Sequence, residues 1–284
     1  MSHPLLIKQW GPQLSITLNR PELRNALNRE LLDQLMTLFL NLPSQQSEID
    51  LVILRGAGGH LCAGGDIREM AAVIQGVHSG SLDLNVAYEL NATYGRLLHA
   101  MSSIPQTLIT VVEGASLGGG LGLACVADVT LAHVDAYFGL PEAKIGLVPA
   151  QVAAQVVRRI GVSNTKRLAL LGEDVTAIEG KQMGLVHELF SDEGTLSARL
   201  DSIRKGISTL APKARAETKA MLQELWEGEM VNQDWINRAA TGFTHAISSA
   251  EFTEGSKALR DRRAPPWIKR WDLCFNDLIK AEET

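Results

Sequence analysis

The stretch that most constrains this chain is residues 107–128, TLITVVEGASLGGGLGLACVAD, where a β-branched apolar run breaks at a glycine and three consecutive glycines lead into an apolar helix. Leu108, Ile109, Thr110, Val111 and Val112 read as a buried strand that ends at Gly114, and residues 121–127 read as a buried helix entered through Gly118, Gly119 and Gly120. A strand that turns through glycines into a helix aims backbone N–H groups, with the positive end of the helix dipole behind them, at one point. Such a point can hold a phosphate, a carboxylate or the developing oxyanion of a thioester.

Spacing narrows these options. Leu123 and Cys125 fall where a dinucleotide fingerprint needs its third glycine, and no lysine follows as in a P-loop, so nucleotide phosphate is not indicated. Gly114, Ser116 and Gly118 do match GxSxG, the nucleophile elbow of α/β-hydrolases, in the required strand, turn and helix setting. The oxyanion loop that should precede such an elbow is missing, because Gly58, Gly59 and His60 run in the wrong order. Close helix packing by small residues is the plainest alternative.

A second unit of the same kind lies upstream. Residues 50–56 (DLVILRG) form another buried strand, leading through Ala57, Gly58 and Gly59 into residues 60–66 (HLCAGGD) and a helix from Ile67. At this point the chain resembles the enoyl-CoA hydratase/isomerase family, the crotonases, at several separated places. The signatures are residues 61–67 (LCAGGDI) and residues 115–128 followed by 137–149 (YFGLPEAKIGLVP). Flanking them are Asn19, Arg20 and Pro21 with residues 25–28 (NALN), and later residues 177–186 (AIEGKQMGLV), so the resemblance spans roughly residues 5–190 in the right order.

The resemblance implies an α/β fold, a crotonase-like spiral of βαβ units over residues 1–192, with a C-terminal helical oligomerisation region over 193–284. It also implies a homotrimer or a dimer of trimers. Composition agrees: 284 residues that are 45% hydrophobic can bury a sizeable core. A net charge of −5 argues against nucleic acid or an anionic membrane as partner. No apolar run reaches the roughly 18 residues that a membrane helix needs. The start MSHPLLIKQW lacks the pattern of a secretory signal, and a cytoplasmic location is expected. Cys62, Cys125 and Cys274 have no ligand spacing and read as small core residues, although Cys62 beside the site has a nucleophile as its rival reading. No metal site and no separate cofactor are expected, since coenzyme A is part of the substrate.

In chain order, residues 5–8 and 14–18 suggest a hairpin turned at Gly11 and Pro12, after which Asn28 caps a helix that ends before Pro43. Residues 66–101 read as helical at both ends, with residues 76–84 (GVHSGSLDL) as a loop over the site or a plain surface loop. Beyond residue 128 come strands at 129–132 and around Tyr137 and Phe138, a helix stopped by Gly161, helices at 163–172 and 176–184, and a strand at 185–189. Residues 193–208, 212–226, 231–248 and 251–262 read as helices, with Trp226, Trp235, Phe243 and Phe252 as packing residues.

The family's chemistry carries over only where residues match. Its oxyanion hole would use the backbone N–H groups of Ala63 and Gly119. Coenzyme A contacts would come from Arg24, from Ala63, Gly64, Gly65, Asp66 and Ile67, from Arg68 toward phosphate, and from Gly118 and Gly119. The hydratases of the family generally use two glutamates. The second aligns with Glu142, in an apolar, glycine-bearing run where a carboxylate is costly without a task. The first falls at Gly122, and Glu113, the nearest other acid, reads as a loop contact.

Three outcomes follow from the missing acid. Glu142 alone can shuttle a proton between C2 and C4, as in the family's isomerases; it can work with an otherwise held water to hydrate the 2,3 double bond; or the protein only binds acyl-CoA. Residues 118–123 and 141–150 resemble stretches of bacterial branched hydratases acting on methylglutaconyl-CoA and isohexenylglutaconyl-CoA, in leucine and acyclic terpene breakdown, which favours the hydratase. Gly122 is then expected to leave an empty space for a branch at C3 or a distal carboxylate.

Overall fold

The computed structural model describes residues 3–226 and 231–272. Strands β1 (Leu5–Trp10) and β2 (Gln13–Leu18) form the expected antiparallel hairpin. Asn28 accepts a 3.0 Å hydrogen bond from Leu31 N–H and so caps α1 (Arg29–Asn41). That helix buries Leu31, Leu32, Leu35 and Phe39, each contributing about 1.5–3 kcal/mol. The chain continues through β3 (Leu51–Gly56), α2 (Ile67–His78), α3 (Asn85–Ser103), β4 (Thr107–Val112), β5 (Ala115–Leu117), α4 (Gly119–Cys125), β6 (Val129–His133) and β7 (Tyr137–Gly139). Then follow α5 (Ala150–Leu171), β8 (Val175–Thr176), α6 (Ala177–Gln182), β9 (Glu188–Phe190), α7 (Glu193–Thr209), α8 (Pro212–Trp226), α9 (Gln233–Ile247) and α10 (Ala250–Arg260).

Six strands form one sheet in the order β1-β2-β3-β4-β6-β9, parallel throughout except for the opening hairpin. A small second sheet, β5-β7-β8, runs beside it, extended by the bridge from Cys62 to Ser116. Each turn of the chain thus adds one strand to the large sheet and one short segment to the small one: β3 with Cys62, β4 with β5, β6 with β7. This is the expected spiral.

Period-two alternation decides which side chains face which layer. Val52, Leu54, Leu108 and Val112 join the core that α1, α3 and α4 cover, whereas Leu51, Ile53, Ile109 and Val111 join a second core. The second core is closed by Leu196, Leu200 and Ile207 of α7 and by Trp271. Burial on both faces explains why these strands read as continuous apolar runs. The boundary expected at residue 192 therefore does not separate two cores, because α7 seals the back of the main sheet.

Some expected limits move. The helix read at 121–127 begins at Gly119 and ends at Cys125. Residues 76–78 belong to α2, leaving a shorter connection to α3. The last strand is Glu188–Phe190 instead of 185–189, because the N–H groups of Leu185 and Val186 turn back to the Gly180 carbonyl. Gly161 breaks α5 as expected, at φ +76 and ψ 161. Trp226 packs, with the Arg158 guanidinium 5.3 Å from its ring centroid. Phe243 and Phe252 are not packing residues within this chain, since they stand 69% and 50% exposed on α9 and α10. The readings of Cys274 and of the tail beyond residue 272 lie outside the described residues. Among the described residues, no helix is long and apolar enough to cross a membrane.

Candidate active site

The two glycine-rich turns lie against each other, held there by main-chain bonds. Leu27 N–H donates to Gly64 O (2.8 Å) and Asp66 N–H to Leu27 O (2.9 Å); Cys62 N–H donates to Ala115 O (3.1 Å) and Leu117 N–H to Cys62 O (3.0 Å). The approach is close enough that a Cβ at Gly64 would sit 3.2 Å from Leu117 O and 3.8 Å from Gly119 N, and one at Gly118 would sit 3.9 Å from Gly64 Cα. Gly64 (φ +102) and Gly118 (φ +50) also hold backbone conformations that side chains disfavour.

Where the N–H groups go decides the donors. Ala63 N–H is bonded to Arg24 O at 2.9 Å, so the expected role of Ala63 in the oxyanion hole is not available to it. Gly64 N–H faces Cys62 Sγ (3.3 Å), and Gly118 N–H donates to Gly139 O (2.9 Å), so the N–H groups of both glycines are engaged within the chain. Among the described residues, no acceptor is bonded to Gly65 N–H or Gly119 N–H, and neither residue is buried. The available pair is therefore Gly65 and Gly119, the first lying two residues beyond the expected Ala63. In the bridge between Leu27 and Gly65, the neighbouring N–H groups make the ladder and that of Gly65 points away from it.

Asp66, expected at coenzyme A, has its carboxylate engaged within the chain. Its carboxylate caps α2 by accepting from the N–H groups of Arg68 (3.1 Å) and Glu69 (3.4 Å), and it pairs with Arg20 Nη2 at 2.9 Å. Burial works to raise its pKa, but the hydrogen bonds from Arg20, Glu69 and Arg68 win and lower it. Arg20 bonds the Ala26 carbonyl as well, and buried Asn25 donates to Ala57 O and His60 O, which fixes the loop that carries Arg24. Arg24, Ile67 and Arg68 are exposed beside these turns, free to meet an anionic or apolar part of a ligand.

Glu142 reaches the same place from β7 and the 3₁₀ turn that follows it. A Cβ at Gly118 would be 2.8 Å from Glu142 Oε1, while Oε2 is buried without a hydrogen-bond partner. Burial pushes this carboxyl above its ordinary pKa of 4.5, opposed by its own backbone N–H. A half-buried carboxylate with one oxygen at the turn that carries the idle Gly119 N–H can transfer a proton beside a polarised carbonyl.

The rival groups are occupied elsewhere. Ser116 is fully buried and donates to Gly120 O at 3.0 Å, so GxSxG here is a turn and not an elbow. Burial pushes the Cys62 thiol to about 12, which makes it a core residue and not a nucleophile. Glu113 pairs with Arg55 at 3.2 Å. A cleft of about 680 Å³ lies at the other end of α4, lined by Cys125, Asp128, Lys219 and Trp226, and holds none of Ala63, Gly65, Gly119 or Glu142.

The space at Gly122 is not empty. A Cβ there would collide with the Tyr94 hydroxyl and lie 3.4 Å from Leu98 Cδ1. Tyr94, in α3, is 7% exposed and donates its hydroxyl to the Gly119 carbonyl. Its signal in the sequence was a single phenol on the apolar face formed with Leu97, Leu98 and Met101, a place that a phenylalanine would fill as well by burial alone.

The family model described as enoyl-CoA hydratase/isomerase matches residues 13–270. The 2,3-dehydroadipyl-CoA hydratase of Escherichia coli (strain K12) is 31% identical over 267 residues, 94% of this chain and 99% of its own. Among solved structures, an enoyl-CoA hydratase/isomerase from Marinobacter aquaeolei is 38% identical with a TM-score of 0.87, covering 93% of this chain and 99% of that one. Pseudomonas aeruginosa AtuE is 39% identical at the same TM-score, covering 94% and 100%.

Proposed function

The chain belongs to the enoyl-CoA hydratase/isomerase family, and from that premise we propose that it adds water across the 2,3 double bond of a branched enoyl-CoA, of the methylglutaconyl- or isohexenylglutaconyl-CoA type. The observation that carries this reading is the placement of Glu142, whose Oε1 closes on Gly118 beside Gly119 while its Oε2 is buried without a hydrogen-bond partner. The thioester oxygen lies between the N–H groups of Gly65 and Gly119, which stabilise the negative charge that develops there. Glu142 takes a proton from a water molecule as the resulting hydroxide bonds to C3 and the electron pair of the double bond moves onto the thioester. The protonated Glu142 then returns that proton to C2, so one water is added and the carboxylate is regenerated.

The exposed Arg24 and Arg68 take the phosphates of coenzyme A, which arrives as part of the substrate, and Ile67 packs against it. The branched class is favoured by the motif resemblance of residues 118–123 and 141–150. Gly122 also spares a distal carboxylate on the acyl chain a like-charged neighbour. The same reading places the enzyme in the cytoplasm, in leucine or acyclic terpene breakdown, as a homotrimer or dimer of trimers. Phe243, Ile236 and Phe252, exposed on α9 and α10, support assembly through the C-terminal helices.

A second reading, isomerisation between the 2,3 and 3,4 positions, draws on the fact that Gly122 has no carboxyl and leaves Glu142 as the acid aligned with the family's pair. Incubation with a panel of branched and linear enoyl-CoA esters in ¹⁸O-water separates the readings. A gain of two mass units in the product marks hydration, double-bond migration without that gain marks isomerisation, and release of free coenzyme A marks hydrolysis. No turnover with any ester, against tight binding, leaves a non-catalytic acyl-CoA binder.

A further inference from the structure

We infer that Tyr94 takes over from the absent acid at position 122 by holding the attacking water through its phenolic oxygen. The inference deepens the hydratase reading and rests on it. Two placements carry it. A side chain at Gly122 would start into the space where the Tyr94 hydroxyl lies, so that hydroxyl stands on the path along which a glutamate there would extend. The same oxygen is 3.6 Å from the Cβ position of Gly119, whereas Glu142 Oε1 is 2.8 Å from that of Gly118. Hydroxyl and carboxylate therefore close on adjacent residues of one turn.

Hydrogen-bond accounting fixes the role. The Tyr94 proton is committed to the Gly119 carbonyl, so toward the substrate the oxygen offers lone pairs and no proton. Burial, with the charge of Glu142 adding to it, raises the phenol well above its ordinary pKa of 10, so it stays a neutral acceptor and does not compete with Glu142 as base. A water donating one hydrogen to Tyr94 and the other to Glu142 has a lone pair left for C3. In the hydration step Glu142 takes its hydrogen, the hydroxide oxygen bonds to C3, and the hydrogen facing Tyr94 stays with the product hydroxyl. Tyr94 gains and loses no proton.

The competing role is a brace that fixes Gly119 through its carbonyl, and a single variant separates the two. Tyr94→Phe keeps the ring and removes the oxygen. If the oxygen holds water, kcat for hydration should fall about 100-fold, as expected for a misplaced reactant, while KM changes less than about threefold. The infrared carbonyl band of a bound, ¹³C-labelled saturated acyl-CoA should shift as in the wild type, because the N–H donors are untouched. Gly122→Glu alone should be nearly inactive, because carboxylate and hydroxyl claim one space. Joined to Tyr94→Phe, whose ring carbon is 3.4 Å from the Cβ position, it should regain at least about tenfold over Tyr94→Phe. Hydration by Tyr94→Phe within threefold of wild type overturns the inference. So does loss of the carbonyl shift in that variant, which makes Tyr94 a brace, and so does a paired variant no better than Tyr94→Phe. A wild-type protein that incorporates no ¹⁸O overturns the hydratase reading itself, and this one with it.

Discussion

Replacing Gly119 by proline removes one hydrogen-bond donor at a position where the backbone can accept the ring. Gly119 is the first helical residue of α4, so its N–H closes no intrahelical bond and proline's fixed φ suits the site. Gly118, at φ +50 and ψ −118, lies outside the αR region that proline denies to the residue before it. Any Cβ at 119 meets Leu27 Cδ1 at 3.0 Å and Tyr94 Cζ at 3.6 Å, a squeeze of a few tenths of an ångström that a leucine methyl can yield. Gly119→Ala carries that squeeze with the donor intact, and its cost should stay under about 1.4 kcal/mol, a factor of ten. Gly119→Pro adds the lost donor, about 3–4 kcal/mol, or a further 10²–10³-fold in kcat. Steady-state hydration of one enoyl-CoA, with the Kd of a saturated acyl-CoA measured in parallel, separates loss of the oxyanion from exclusion of the substrate by the ring. Should Gly119→Pro hydrate within tenfold of Gly119→Ala, with wild-type melting and wild-type binding, the assignment of this N–H to the thioester oxygen is wrong.

Other outcomes follow from the same geometry. Because burial raises the Glu142 pKa and the carboxylate is the working form, kcat/KM should rise with pH through a value above 4.5 and then level off; Glu142→Gln should lose at least about 10³-fold, and a Gln variant with the same profile would remove the assignment. Ser116→Ala should change turnover by less than tenfold and cost about 1 kcal/mol of stability by chemical denaturation, whereas near-complete inactivation would restore the hydrolase reading. Asp66→Ala deletes a helix cap and orphans Arg20, and should lower stability by about 1–3 kcal/mol. Since the folded pKa of Asp66 lies below 3.8, its contribution is present above that pH and is lost as the pH falls through the folded value; a wild type and Asp66→Ala pair whose stability gap stays constant into acid would contradict this.

The sequence made the strands and helices legible where a period was strong. The run at β4 and the stripe on α1 could be placed without coordinates, because each is fixed by local apolar spacing. Glu142 was legible for a related reason, as a charge where the surrounding pattern admits none. The N–H donors were harder to assign. Whether Ala63 or Gly65 presents its N–H depends on which backbone groups the neighbouring Arg24 and Leu27 engage, a matter of register between segments almost 40 residues apart. Tyr94 was invisible as a site residue, since its ring fits the apolar stripe and only the fold brings its oxygen over Gly122. The structural task of Asp66 was not legible, because capping and ligand binding call for the same residue type at a helix start, and the sequence alone does not separate them.

The main-chain bonds that clamp the two glycine turns have a further consequence. The spacing between Gly65 and Gly119 is set mainly by backbone atoms of Leu27, Gly64, Asp66, Cys62, Ala115 and Leu117, with the Cys62 thiol at Gly64 N–H and the Tyr94 hydroxyl at the Gly119 carbonyl as side-chain supports. Activation of the thioester is therefore separable from the choice of reaction. On the proposed reading, residues such as Glu142 and Gly122, which take no part in those backbone bonds, can be exchanged in a lineage without disturbing the device that draws electrons toward the carbonyl. An ancestor could thus try new acids, new water positions and new acyl shapes while keeping the electrophile reactive throughout.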